Sequence, residues 1–92
     1  MNKKLDQKFA SIKIEHQIQG ITWLRLSPGK SKEDGIFILL YKDISESCLY
    51  DNWFENMEVA KEWAEKYYDV KLNDWEAADD LIKRGIQFID EM

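Results

Sequence analysis

Cysteine, histidine and proline each occur only once among the 92 residues of this chain. The single cysteine, Cys48, excludes the internal disulfide framework of a small secreted scaffold, and we expect a reducing, cytoplasmic location. One cysteine and one histidine are also too few for the usual zinc-ligand sets. The sequence therefore predicts neither a metal site nor a cofactor.

Long apolar runs are missing as well. The longest, residues 36–41, is far shorter than the ~20 residues that a membrane-spanning helix requires, so we predict no membrane association. The chain is nevertheless 45% hydrophobic and 13% aromatic, which is too apolar for a disordered chain. At this length we predict a single domain over residues 1–92.

An excess of positive charge is absent too, since the net charge is −5. Residues 1–30 carry six basic and two acidic side chains, whereas residues 31–92 carry seven basic and sixteen acidic ones. Phosphate neutralisation by Lys and Arg supplies most non-specific affinity for nucleic acids, so we predict no nucleic-acid partner. The balance fits a basic protein partner.

Four segments have the patterns of β-strands. Apolar and polar residues alternate over residues 11–18, which favours a half-buried strand, and β-forming residues fill 21–26. After an exposed loop at 27–35, residues 35–41 are apolar on both faces, as in a central strand. Residues 48–54 predict a fourth strand, antiparallel to the third. Residues 2–8 give no clear prediction.

Two amphipathic helices are predicted to follow. The first begins at the N-cap Asn56, ends near Asp69 and buries a stripe that includes Trp63. The second is capped by Asn73 or Asp74 and runs to the C-terminus, interrupted by Gly85. Its core stripe comprises Ala78, Leu81, Ile82, Ile86 and Ile89.

We therefore predict an α+β fold in which a four-stranded antiparallel sheet is followed by two helices, in ββββαα order, both packed on one face. They would bury Trp63, Leu81, Ile82 and Ile86 against the third and fourth strands. Because the third strand is apolar on both sides, the second face of this sheet needs a cover of its own. Sheet curvature, the N-terminal segment or a second copy of the chain would supply one, and the last of these makes a homodimer a hypothesis.

No recognised catalytic motif or phosphate-binding loop occurs in the chain, so we predict no catalytic site. The one alternative that the residues allow is a small hydrolase or transferase in which His16 activates Cys48 as a nucleophile. The other interpretation is structural: His16 would share a strand face with Ile12 and Ile14, and Cys48 would act as a small buried apolar residue.

Acidic residues at helical spacing form the candidate binding surface. A solvated helix face is the simpler explanation of such a stripe; the alternative is a docking surface for a basic partner, which would use the same charges to speed encounter. Trp23, out of phase with its apolar neighbours, is expected to join this surface. The candidate partner-binding residues are Asp51, Glu55, Glu58, Glu62, Glu65, Asp69 and Trp23.

Residues 51–75 resemble a pattern found in small bacterial proteins of unknown function. Its parts are Asp51-x-Trp53 at the end of a strand, a capped helix with regularly spaced alanines, Tyr68, Val70, and Trp75 opening the next segment. The His that often follows the first Trp of the pattern is Phe54 here. Some of these proteins look like immunity or accessory proteins of toxin systems, and the resemblance carries no catalytic residue.

Together these observations favour a small non-enzymatic protein-binding or inhibitor module, such as one of immunity type, with an acidic helical surface. The Cys48 and His16 enzyme is one alternative. A structural accessory subunit is the other.

Overall fold

The computed structural model describes residues 7–29 and 34–89. In these residues the chain forms five strands, two α-helices and two short 3-10 turns. The strands are β1 (Lys8–Ser11), β2 (Trp23–Pro28), β3 (Ile36–Tyr41), β4 (Tyr50–Phe54) and β5 (Glu76–Ala77), and the helices are α1 (Met57–Tyr68) and α2 (Ala78–Lys83). The α+β class is confirmed, but the sheet has five strands rather than four.

The five strands form one sheet in the order β4-β3-β2-β1-β5, and every neighbouring pair is antiparallel. The first four strands are neighbours in sequence and in space. α1 then connects β4 at one edge to β5 at the other. The predicted ββββαα order therefore holds only approximately, because β5 lies between the two helices.

The register divides the side chains between two faces. Leu24 lies opposite Leu40, whereas Arg25 lies opposite Leu39, and successive side chains point to opposite sides of a strand. We call the side of Leu24 the first face and the side of Arg25 the second face. Each face has its own buried cluster.

The first face is covered by α1, whose local signals agree with its position. The Asn56 side chain accepts a hydrogen bond from the Val59 N–H at 2.9 Å, as an N-cap does. Asp69 ends the helix in the left-handed conformation, with φ 56°, which Asp tolerates better than most residues. Both predicted helix ends are confirmed, and Ala60 and Ala64 are fully buried against this face.

The second face is covered by α2 and by residues 86–89. Leu81 of α2 is fully buried, and Phe88 packs on Phe9 with ring centroids 4.8 Å apart. The prediction that both helices share one face is therefore wrong. β5 forms the edge of the sheet, and the chain passes from the first face to the second there. α2 follows β5 and therefore lies on the side opposite to α1. Much of the cover that this face needs thus comes from the chain itself.

A buried arginine fixes the C-terminal segment to the second face. Arg25 is 1% exposed and donates hydrogen bonds to the Gln7 amide oxygen at 2.7 Å and to the Ile89 carbonyl at 2.8 Å. Its guanidinium also lies 4.9 Å from the centre of the Phe9 ring. None of the carboxylates in residues 7–29 and 34–89 forms an ion pair with it. The Gln7 and Ile89 acceptors are both neutral oxygens, and they replace part of its hydration.

The predicted first strand is misplaced. Residues 11–18 were expected to be extended, but β1 ends where they begin and a 3-10 turn covers Ile14–His16. Ile14 is 85% exposed and Ile18 is also exposed. The Gln17 side chain donates to the carbonyl of Ile12 at 3.0 Å, and such a side-chain bond to the backbone competes with a ladder.

The predicted second helix is too long. Asp74 lies in a 3-10 turn and accepts a hydrogen bond from the Lys71 N–H at 2.8 Å, so the capping residue begins a turn rather than a long helix. Gly85 has φ +75° and follows the helix at its C-terminal end, where glycine is favoured. Ile82, which the sequence assigned to the core, is 62% exposed, whereas its neighbour Leu81 is fully buried.

The predicted loop at residues 27–35 and the unassigned segment at 2–8 lie partly outside the described residues. The described ends of the loop are joined by a hydrogen bond from the Gly29 N–H to the Gly35 carbonyl, at 2.9 Å. Across the described chain, no helix combines the length and the apolar character needed to cross a membrane.

Candidate partner-binding surface

The outer side of α1 carries the predicted acidic residues in one row. Because 3.6 residues make a turn, Glu58, Glu62 and Glu65 lie on one side of the helix, and Glu55 directly precedes its N-cap. All four are exposed. We call these four residues the acidic stripe. The structure thus brings together most of the residues that the sequence selected.

Two of the selected residues lie elsewhere. Trp23 is paired with Tyr41, and Asp51 is paired with Leu39, so both belong to the second face. Trp23 is half-buried and packs against the second-face cluster. The sheet separates these two residues from the acidic stripe, which lies on α1 above the first face.

The C-terminal end of the stripe is held by a small ionic network. Lys71 Nζ lies 3.1 Å from a Glu65 carboxylate oxygen and 2.9 Å from one of Asp69, and His16 Nε2 lies 3.4 Å from the other Asp69 oxygen. The hydrogen bond from Lys71 is the main reason that the pKa of Asp69 is lowered, although desolvation opposes it. The same bond raises the pKa of Lys71. Such exposed pairs contribute little to stability, but they orient the carboxylates.

A polar cavity of about 360 Å³ adjoins this network. It is lined by Ser11, Lys13, Tyr68, Asp69, Asn73, Asp74 and Glu76. Three carboxylates face one ammonium group, so the cavity favours donors of hydrogen bonds and cationic groups. All three carboxylates already have partners, since Asp69 pairs with Lys71 and His16, Asp74 accepts from the Lys71 backbone, and Glu76 pairs with Arg84. Within the described residues, no cluster of His, Cys, Asp and Glu is arranged to hold a metal ion.

A row of apolar side chains runs along α1 next to the acidic stripe. Val59, Trp63 and Tyr67 follow each other at four-residue spacing, and Tyr67 is 47% exposed. Trp63 is half-buried and its ring lies 5.5 Å from that of Tyr67. Lys66 Nζ lies 5.4 Å from the centre of the Tyr67 ring. The exposure of Tyr67 creates an aromatic surface beside the acidic one.

The residues of the alternative enzyme are not in contact. His16 pairs with Asp69, at the end of the helix that covers the first face. Cys48 packs against the second-face cluster. Proton transfer from a nucleophile to its base needs direct hydrogen-bond contact or one bridging water, and this arrangement does not provide it.

Residues of the β4 edge are exposed although the sequence did not select them. Tyr50 and Trp53 are each 55% exposed, and Phe37 beside Trp53 is partly exposed. The apolar character of these residues predicted a strand. Their exposure follows from the position of β4 at the edge of the sheet. No signal in the strand itself reveals that position.

Comparison of the chain with protein families, with curated proteins and with solved structures finds no significant match.

Proposed function

We propose that this protein is a non-enzymatic binding module of inhibitor or immunity type, and that it docks the acidic stripe of α1 against a basic surface of a partner protein. The supporting observation is that three exposed carboxylates of α1, with Glu55 just before its N-cap, lie beside the partly exposed Trp63 and Tyr67. Aromatic residues dominate the binding energy of many interfaces, and surrounding charges set encounter rate and specificity.

The rigidity of α1 adds to this proposal. The helix is capped by Asn56 and fixed by Ala60 and Ala64 on the first face. Side chains on such a helix need little rearrangement on binding, which lowers the entropic cost of association. The single thiol of Cys48 fits a reducing compartment, and we place the encounter in the cytoplasm.

The other functions receive less support. The separation of His16 from Cys48 leaves the enzyme without the contact that it requires. A structural accessory subunit would use a constitutive partner, and the same capture experiment would identify one. The homodimer was inferred from a second face without a cover. That argument no longer applies, because α2 and residues 86–89 cover much of this face.

The proposal is tested with charge-reversed variants after a partner has been captured from extracts of the source cell. We expect Glu62→Lys combined with Glu65→Lys to lower the association rate about tenfold, because steering by opposite charge is lost. Lys71 keeps Asp69 as a partner in this variant. Binding of the unchanged protein should weaken as salt rises.

The matched control carries Glu46→Lys and Asp79→Lys. Both residues are exposed and lie outside α1, so this variant has the same net charge as the α1 variant. Binding that falls equally in both variants would indicate a general charge effect, and binding that falls in neither would exclude the acidic stripe as the docking surface.

A further inference from the structure

β4 is an exposed edge strand with an open row of backbone groups. It pairs with β3 on one side, and no described strand pairs with its other side. Four consecutive residues of β4, from Tyr50 to Trp53, are exposed, and their side chains alternate between the two faces of the sheet. The N–H and C=O groups on the outer side of an edge strand are available to another chain.

Proteins usually protect such edges with charged side chains, above all lysine, or with proline, a bulge or a very short strand. β4 contains neither lysine nor proline, Asp51 is its one charged residue, and its five residues pair with β3 in an unbroken register. The opposite edge differs, because β5 is only two residues long. The two edges of this sheet are thus unequal, and β4 is the one suited to pairing.

We propose that β4 pairs with β4 of a second copy of the chain, antiparallel and centred on Asn52, which joins two five-stranded sheets into one of ten strands. This goes beyond the proposed function and does not rest on it. A two-fold axis at Asn52 sets Asn52 opposite its own copy and sets Asp51 opposite Trp53 of the second copy. On the other face, Tyr50 then lies opposite Phe54 of the second copy, and aromatic pairs of this kind stabilise antiparallel ladders.

Charge selects this register among those centred on the three interior residues of β4. Centring on Asp51 places the two Asp51 carboxylates directly opposite each other, and centring on Trp53 places Asp51 opposite Glu55. Like charges in directly opposed positions are destabilising. Centring on Asn52 is the choice that places no two acidic residues directly opposite.

The surroundings of β4 leave room for the second copy. α1 leaves the end of β4 and leads to β5 at the far edge of the sheet, so it runs away from the proposed junction. Trp53 is already oriented, because its indole N–H donates to the Asp34 carbonyl at 2.9 Å. An exposed but fixed aromatic side chain loses little conformational freedom on pairing.

The oligomeric state is measured by sedimentation of the purified protein up to about 1 mM, because a single strand pair is a small interface and binds weakly. We expect the apparent mass to rise from 11.0 kDa toward twice that value. Association should tighten as salt rises, because each copy carries a net charge of −5 and salt screens the repulsion. In isotope-edited NMR, contacts between copies should join Tyr50 and Phe54.

Residue 52 provides a test of the register. Asn52→Lys and Asn52→Asp should each raise the dimer Kd about two- to fivefold, because like charges then meet at the axis. An equimolar mixture of the two variants should recover dimers, since lysine then faces aspartate. Gln87→Lys, at an exposed position on the C-terminal segment, is the control and should leave Kd unchanged.

A monomeric mass at 1 mM would overturn the proposal without bearing on the acidic stripe. So would a dimer that tolerates both Asn52 variants, or one that Gln87→Lys weakens as much as they do. Circular dichroism of each variant separates loss of pairing from loss of folding, and the measurements on the unchanged chain stand without any variant.

Discussion

Gly35 supports the fixed position of Trp53, and its replacement by alanine should destabilise the protein strongly. Its φ is +76°, and a Cβ placed on it would lie 2.3 Å from the Trp53 indole nitrogen and 2.7 Å from the Phe54 carbonyl oxygen. Side-chain movement could relieve the first contact, but the second is with the backbone of β4. Gly35→Ala therefore combines an unfavourable backbone conformation with a steric clash.

Gly20 separates these two effects. It has almost the same φ, +79°, but no heavy atom lies within 4 Å of an added Cβ. A left-handed conformation costs a residue with a side chain about 1–2 kcal/mol, and overpacking adds about 1–3 kcal/mol. We expect Gly20→Ala to lower the free energy of unfolding by the first amount alone, and Gly35→Ala to lower it by about 2–5 kcal/mol.

Urea unfolding followed by far-UV circular dichroism measures both losses. In a Trp53→Ala background, the cost of Gly35→Ala should fall by about 1 kcal/mol, because the indole clash disappears. It should remain above the cost of Gly20→Ala, because the Phe54 carbonyl is still in place. Equal losses for the two glycine variants, within about 0.5 kcal/mol, would refute the steric reasoning.

Two further predictions concern a helix cap and acid stability. Asn56→Ala should lower the free energy of unfolding by about 1 kcal/mol in the same urea assay, because the Val59 N–H loses its acceptor; an unchanged midpoint would show that the cap is not needed. Hydrogen bonds from Ser45 lower the pKa of Asp43, and one from Lys71 lowers that of Asp69. Their stabilising effect is present above the unfolded pKa of about 3.9 and disappears as pH falls through the lower folded pKa values. Urea unfolding between pH 5 and pH 2 should therefore show falling stability, with a shallower decline for Asp43→Asn; identical declines would exclude a contribution from Asp43.

The sequence predicted α1 well because the signals for that helix are local. Asn56 caps it through a contact with Val59, three residues later, and Ala60 and Ala64 repeat at helical spacing. The acidic stripe was predictable for the same reason. A helix defines its own faces, so the exposed positions of Glu62 and its neighbours follow from periodicity once the buried side is known.

The sheet was less predictable because its pairing is decided between distant segments. The alternation of residues 11–18 is typical of a strand, but turn-forming interactions around Ile14 outweigh it. β5 has only two residues, and it exists because it pairs with β1, more than sixty positions earlier in the chain. Two residues carry too little pattern to identify a strand.

The positions of Trp23, Asp51 and Arg25 also depended on register. Which face each side chain joins is set by strand pairing and by the path of the chain after β5. The phase of Trp23 predicted an exposed surface, yet Arg25 on the same face is buried beneath residues 86–89 and donates there to neutral acceptors. Burial of a charge depends on partners that come from elsewhere in the chain.

The path of α1 across the sheet has a consequence for the order in which the fold assembles. The hairpin contacts of β1 to β4 join segments that are close in sequence, whereas the β1–β5 pair closes a loop of more than sixty residues. Closing a long loop costs more chain entropy than closing a hairpin. The four-stranded meander can therefore nucleate first, with β5, α2 and the second-face cover docking last. Until that docking is complete, β1 is itself an open edge, and the nascent sheet has two edges through which copies can associate.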